Sequence, residues 1–138
     1  MISRELLALV RYRLEQADQA IRDARTLMAA ESHSTTVNRA YYAMFYAILA
    51  LLCLRGKGTS KHSGAIELFD REFVRPGTFD REMARWLHEA FDLRQQADYK
   101  EMVTVSRERA ETTLQNAEAF LLRVKDYLGK TLGTSRIE

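Results

Sequence analysis

Arg94, Asp98 and Tyr99 close the segment Arg94-Gln95-Gln96-Ala97-Asp98-Tyr99, and their types suit phosphate chemistry. A guanidinium offers a planar fork to a phosphate, a carboxylate can orient it, and a phenol adds a hydroxyl or a stacking ring. Arg94 and Asp98 are four residues apart, so on a helix they share a face. Leu87, Ala90 and Phe91 lie on that face one and two turns earlier. A charged pair beside an apolar stripe is costly to bury. It is either an ion pair that ties the helix end or a guanidinium held for a phosphate.

A second constellation is Asn38-Arg39-Ala40-Tyr41-Tyr42-Ala43-Met44-Phe45-Tyr46. Arg39 is the only formal charge between Glu31 and Arg55. Tyr42 and Tyr46 follow it at helical spacing on the same face. Buried phenols and a buried guanidinium need partners, and Asp98 or Glu89 is the carboxylate expected for Arg39. The competing reading is a polar knot that holds the core in register.

The third is Gly56-Lys57-Gly58-Thr59-Ser60-Lys61-His62-Ser63-Gly64. A Walker phosphate loop needs Gly, four residues, then Gly-Lys-Ser/Thr after a strand, and this segment has neither the spacing nor the strand. Free amides, hydroxyls and the lysines at a helix start could still hold an anion. The plainer reading is a capped turn. His33, His62 and His88 are not paired at metal-ligand spacing, and Cys53 is alone. No metal site and no cofactor is expected, and no residue is assigned as catalytic.

The elements that must position these residues read as helices. Residues 3–30 carry Leu7, Val10, Leu14, Ala17, Ile21, Ala24 and Met28 at spacings of three and four, with Ser3 as cap. Glu31-Ser32-His33-Ser34 reads as a turn. Residues 35–55 are apolar on nearly every face after Arg39, the mark of a helix surrounded by others, and Gly56 is a natural left-handed cap. A shorter helix is expected over 62–75, capped by Ser60, with Ile66, Phe69 and Phe73 inside. Asp80 caps a helix over 80–98, with Met83, Trp86, Ala90, Leu93 and Ala97 along one stripe. The last helix is expected over 104–129, stopped by Gly129, with Ala110, Leu114, Ala117, Leu121, Val124 and Leu128 buried. No stretch alternates over strand length. The fold class is all-α: an up-and-down bundle of four long helices plus one short helix. Residues 1–130 form a single domain, and 131–138 are expected to fray.

Composition agrees with one soluble domain. The 138 residues are 46% hydrophobic and 29% charged, with one Pro and six Gly, too few breakers for an all-β fold of many tight turns. The charge balance, 21 Lys and Arg against 19 Asp and Glu, leaves +2. That is no basic stripe, so strong non-specific nucleic-acid binding does not follow from total charge. Arg55, Lys57 and Lys61 make a small basic loop beside an acidic stretch. The longest apolar run, Ala40 to Leu54, holds fifteen residues including three Tyr, short of the roughly 20 a membrane span needs. No membrane association is expected. The start, Met1-Ile2-Ser3-Arg4-Glu5, is charged at once and lacks an apolar signal core. A single Cys in an apolar run fits a reducing compartment, and a cytoplasmic location is expected.

Taken together, Asn38 to Ala47, Lys61-His62-Ser63-Gly64 and Phe91 to Tyr99 resemble the HEPN domain (higher eukaryotes and prokaryotes nucleotide-binding), in its small stand-alone prokaryotic branch. The resemblance covers nearly the whole chain. It implies a helical bundle, a homodimer, and a minimal nucleotidyltransferase partner encoded next door. It also implies a nucleotide or RNA ligand. In the wider superfamily many members are metal-independent ribonucleases, and many of those are toxins of toxin-antitoxin pairs. Their signature is an Arg, four to six residues, then a His, near a cleft at the dimer interface.

This sequence departs from that signature. Arg94 takes the place of the signature Arg, but Asp98 and Tyr99 follow where a His is required. Arg55 with His62, and Arg81 with His88, match the spacing elsewhere. Metal-free RNA cleavage needs a base with a pKa near 7 and a cation for the phosphorane charge. Arg94 can do the second. Asp98 beside an Arg is a weak base, and Tyr99 is mostly protonated at neutral pH. Whether the chain is an enzyme therefore turns on whether His62 or His88 reaches Arg94. The leading expectation is a module that binds nucleotide or RNA phosphate through Arg94, Asp98, Tyr99, Arg39, Lys61 and His62. The alternatives are a metal-independent ribonuclease toxin and a purely structural dimer.

Overall fold

The first apolar stripe forms α1 (Arg4–Ala29), entered at Ser3, whose hydroxyl accepts the Leu6 N–H at 3.0 Å. The computed structural model describes residues 2–59, 61–99 and 104–133. After α1 the chain reverses at Glu31, φ 58°, where the Ser32 N–H donates back to the Leu27 carbonyl at 2.9 Å. So short a connection lays α1 against α2 (His33–Leu54). This helix starts two residues before the expected boundary, because the Ser32 carbonyl already accepts the Thr36 N–H at 3.0 Å.

The central element is α2, which touches α1 and the helices that follow it in the chain. It buries residues on several faces, from Thr36 to Leu52. By length and composition it could cross a membrane, yet 61% of its most apolar window is buried within the fold. Most of its apolar surface is used by the bundle. The buried alanines Ala17, Ala20 and Ala24 of α1 and Ala40, Ala43, Ala47 and Ala50 of α2 share one core, and small side chains let helix backbones approach closely. Gly56 ends α2 in the expected left-handed conformation, φ 62°.

Residues 62–75 are not one regular helix. They form α3 (His62–Phe69) and then a π-helical turn over Asp70–Val74, in which the Arg75 N–H reaches the Asp70 carbonyl at 2.9 Å. Phe69 and Phe73 both enter the core, where their rings meet Phe79. Ser60, the expected cap, lies outside the described residues; Lys61 occupies the cap position. As expected, Asp80 caps α4 (Arg81–Tyr99), its Oδ1 accepting the Met83 N–H at 3.2 Å.

The last helix, α5 (Arg107–Leu132), starts later and ends later than the sequence suggests. Ser106 caps it through the Arg109 N–H at 3.1 Å. Gly129 does not stop it. A single Gly inside a helix costs about 1 kcal/mol, and Leu132, one turn beyond buried Leu128, still packs on the core. Gly133 is the cap, at φ 63°. The described residues are all-α, as expected.

Candidate phosphate site

On α4, Met83, Leu87 and Ala90 form an inward stripe at spacings of four and three, and Arg94 takes the next position on it. Helical geometry thus points a guanidinium at the core, and only 8% of Arg94 is exposed. Burial of that charge costs several kcal/mol unless it is compensated. The compensation is mostly aromatic. Arg94 Cζ stands 5.0 Å from the Tyr41 ring centre, 5.6 Å from Tyr42 and 5.9 Å from Phe91. Ring faces attract a cation by about 0.5–2 kcal/mol each.

Conventional partners are weak. Arg94 Nη1 is 3.5 Å from the Tyr42 hydroxyl and 3.7 Å from Asp98 Oδ2, an ion-pair distance beyond hydrogen-bond reach. Arg94 Nε is buried and has no hydrogen-bond partner among the described residues. Asp98 lies at the half-exposed rim and accepts from Asn38 Nδ2 at 3.2 Å.

Arg39 joins the same cluster by another route. Neither Asp98 nor Glu89 bonds it. Its Nε and Nη2 both donate to Asn38 Oδ1, at 3.1 and 3.0 Å, and its Cζ stands 4.8 Å from the Tyr42 ring centre. The Tyr42 ring therefore has two guanidiniums near it, those of Arg39 and Arg94.

His62, the first residue of α3, reaches this cluster from a third element. Its Nδ1 is 2.9 Å from the Tyr41 hydroxyl, and its ring stacks on Phe45 at 4.0 Å with planes 6° apart. The Tyr42 ring lies edge-on to it at 5.4 Å. Burial lowers the His62 pKa below its ordinary value, and the Arg94 charge lowers it further. His62 is thus held neutral at neutral pH. Burial also pushes the Tyr41 phenol up, against the opposing pull of Arg94, so Tyr41 stays protonated.

The other candidates fall as follows. Lys61 is exposed beside His62, and no hydrogen bond or ion pair among the described residues ties its ammonium to the cluster. The Tyr99 side chain lies outside the described residues. His88 is turned away and bonds Asp70 Oδ2 at 2.6 Å. Arg55 lies over the Phe73 ring at 4.4 Å and near Glu72 at 3.8 Å, so it does not pair with His62. The turn at Thr59 is a capped turn, with Thr59 Oγ1 accepting the Lys61 N–H at 3.2 Å.

Two residues escaped sequence reasoning. Asn38 links Arg39 to Asp98, and Tyr41 links His62 to Arg94. The Asn38–Asp98 bond joins residues 60 apart in sequence, which no local pattern announces. Among the described residues, no three His, Cys, Asp or Glu come together as metal ligands.

Fold and site define a helical-bundle domain with an under-compensated arginine on an aromatic floor. The chain belongs to the HEPN family, whose model, described as HEPN domain, matches residues 10–127. It is similar to a UPF0332 protein of Thermotoga maritima, 36% identical over 113 residues, covering 82% of this chain and 86% of the relative. It is also similar to a Methanocaldococcus jannaschii protein named "Putative toxin MJ0142", 34% identical over 115 residues, covering 83% and 78%.

Proposed function

We propose that this HEPN module binds the phosphate of RNA or of a nucleotide at Arg94, as a homodimer that works with a nucleotidyltransferase partner in the cytoplasm. The observation that carries the reading is Arg94 itself. It is buried, and among the described residues its Nε lacks a partner and its one ion-pairing carboxylate, Asp98, stands 3.7 Å away. A phosphate oxygen would supply the charge-assisted bond that the site lacks, and the half-buried rings of Tyr42 and Tyr46 offer stacking surface to a base. The half-buried stripe of Tyr42, Tyr46, Leu49 and Cys53 on α2 supports the homodimer. The partner rests on family resemblance. Binding of a labelled single-stranded RNA to wild type and to Arg94→Ala tests the reading. Equal affinity would overturn it.

A second reading, metal-independent RNA cleavage, is favoured by the position of His62. Arg94 and His62 both border Tyr41 and Tyr42. In the Nδ1–H tautomer, Nδ1 donates to the Tyr41 oxygen and Nε2 is free to accept a proton. The ribose 2′-oxygen would attack the adjacent phosphorus and give its proton to Nε2. The P–O5′ bond would break, leaving a 2′,3′-cyclic phosphate, and the 5′-oxygen would take a proton from the imidazolium or from water. Arg94 would stabilise the phosphorane charge. The toxin name carried by the Methanocaldococcus relative motivates a toxin role for this chain. RNA that stays intact with wild-type protein in EDTA would exclude this reading and leave phosphate binding standing.

A further inference from the structure

We infer that Asn38 is the positioning residue that holds the anion site at Arg94 open by occupying Asp98. The inference rests on the proposed phosphate site. Asn38 Oδ1 accepts both Arg39 N–H groups, and a guanidinium has only donors. The oxygen must therefore face Arg39, and the amide Nδ2 must face the Asp98 carboxylate, as it does at 3.2 Å. Chemistry fixes the orientation of this amide.

The consequence is electrostatic. Asp98 and Arg94 stand one helical turn apart, the spacing at which a carboxylate and a guanidinium ordinarily pair. Here the carboxylate is drawn to Asn38 and stays 3.7 Å from Arg94 Nη1. Arg39 meanwhile is held by a neutral amide. Among the described residues, the two guanidiniums beside Tyr42 thus have one half-exposed carboxylate near them, Asp98, ion-paired with Arg94 alone, and the cluster keeps a surplus positive charge for an anion. An aliphatic residue at 38 would release Asp98 to close on Arg94. That internal pair would compete directly with phosphate.

The test is a double-mutant cycle on the full chain, read by the affinity of a fluorescein-labelled single-stranded RNA at low and moderate salt. Asn38→Ala is expected to weaken binding about fivefold, the equivalent of one exposed ion pair. The loss should shrink as salt rises. In the Asp98→Asn background the same substitution should change affinity little, because no carboxylate remains to close on Arg94. Asn38→Ser, whose hydroxyl is too short to span both partners, replaces Ala if that variant does not fold. Arg94→Ala is measured alongside. If Arg94→Ala binds as wild type, the phosphate reading fails. If Arg94→Ala loses binding while Asn38→Ala keeps it, or loses it equally in the Asp98→Asn background, only the role of Asn38 is overturned.

Discussion

The Tyr41 hydroxyl lies 2.9 Å from His62 Nδ1, and the Arg94 guanidinium lies over the same phenol ring at 5.0 Å. One fully buried tyrosine thus joins α3 and α4, elements that the sequence separates by a turn of irregular chain. His62 and Arg94 share one aromatic floor, Tyr41 and Tyr42.

That relationship makes stability depend on pH. His62 has its folded pKa lowered below 6.5, by burial first and by Arg94 second. The unfolded chain therefore binds the proton more readily than the folded one. The His62 contribution is intact above about pH 6.5 and is lost as pH falls from there through the lower folded value. The melting temperature of wild type should drop over that window, and His62→Gln should flatten the drop. Parallel profiles for the two proteins would show that His62 is not the group responsible.

Tyr41, and not Tyr42, carries the core. Tyr41 is fully buried, while Tyr42 is half-buried on the outer stripe of α2. Tyr41→Ala should cost about 3–5 kcal/mol, and Tyr41→Phe, which loses only the bond to His62, about 1 kcal/mol. Tyr42→Ala should cost less than Tyr41→Ala. Urea unfolding of the three variants gives the order directly, and a costlier Tyr42→Ala would contradict the burial.

Arg94 should act on binding far more than on folding. Its removal also removes the desolvation cost of a buried charge, so Arg94→Ala is expected to shift unfolding free energy by no more than about 1 kcal/mol. RNA affinity should fall sharply, and the lost part should be salt-sensitive. Lys at this position restores charge without the planar fork and should rescue only partly. A large loss of stability with unchanged RNA affinity would make Arg94 a brace for the bundle.

Gly64 should resist substitution because of Thr59. A Cβ at 64 would sit 3.0 Å from Thr59 Oγ1 and 3.1 Å from its Cγ2. Thr59 would have to move, and it caps the turn that presents His62. Gly64→Ala is expected to destabilise by no more than about 1 kcal/mol, because overpacking against Thr59 is opposed by the better helix propensity of Ala within α3. Thr59→Ala in the same chain should recover part of that loss. Thermal melts of the single and double variants decide it.

Spacing in the sequence determines the helices and their buried faces. The stripe of Met83, Trp86, Ala90, Leu93 and Ala97 gives α4 its buried face, and the four-residue step from Arg94 to Asp98 sets that pair on one face beside it. These follow from the 3.6-residue period alone. Boundaries are less legible. Gly129 and Gly133 look alike in sequence, and only packing of Leu132 on the core decides that the helix continues. The π turn after Phe69 is likewise invisible, since Phe69 and Phe73 fit a regular helix equally well.

The choice between Tyr41 and Tyr42 belonged to tertiary structure. Both stand in a helix that is apolar nearly all round, so no periodicity says which one faces the interior. The partners of Arg39 and Arg94 were undecided for the same kind of reason. Asn38 lies 60 residues from Asp98, and His62 lies 21 from Tyr41. A helix fixes only which of its own residues share a face. Which face of another helix comes to meet it is set by how α2, α3 and α4 pack, and the charge left over at Arg94 exists only once they have done so.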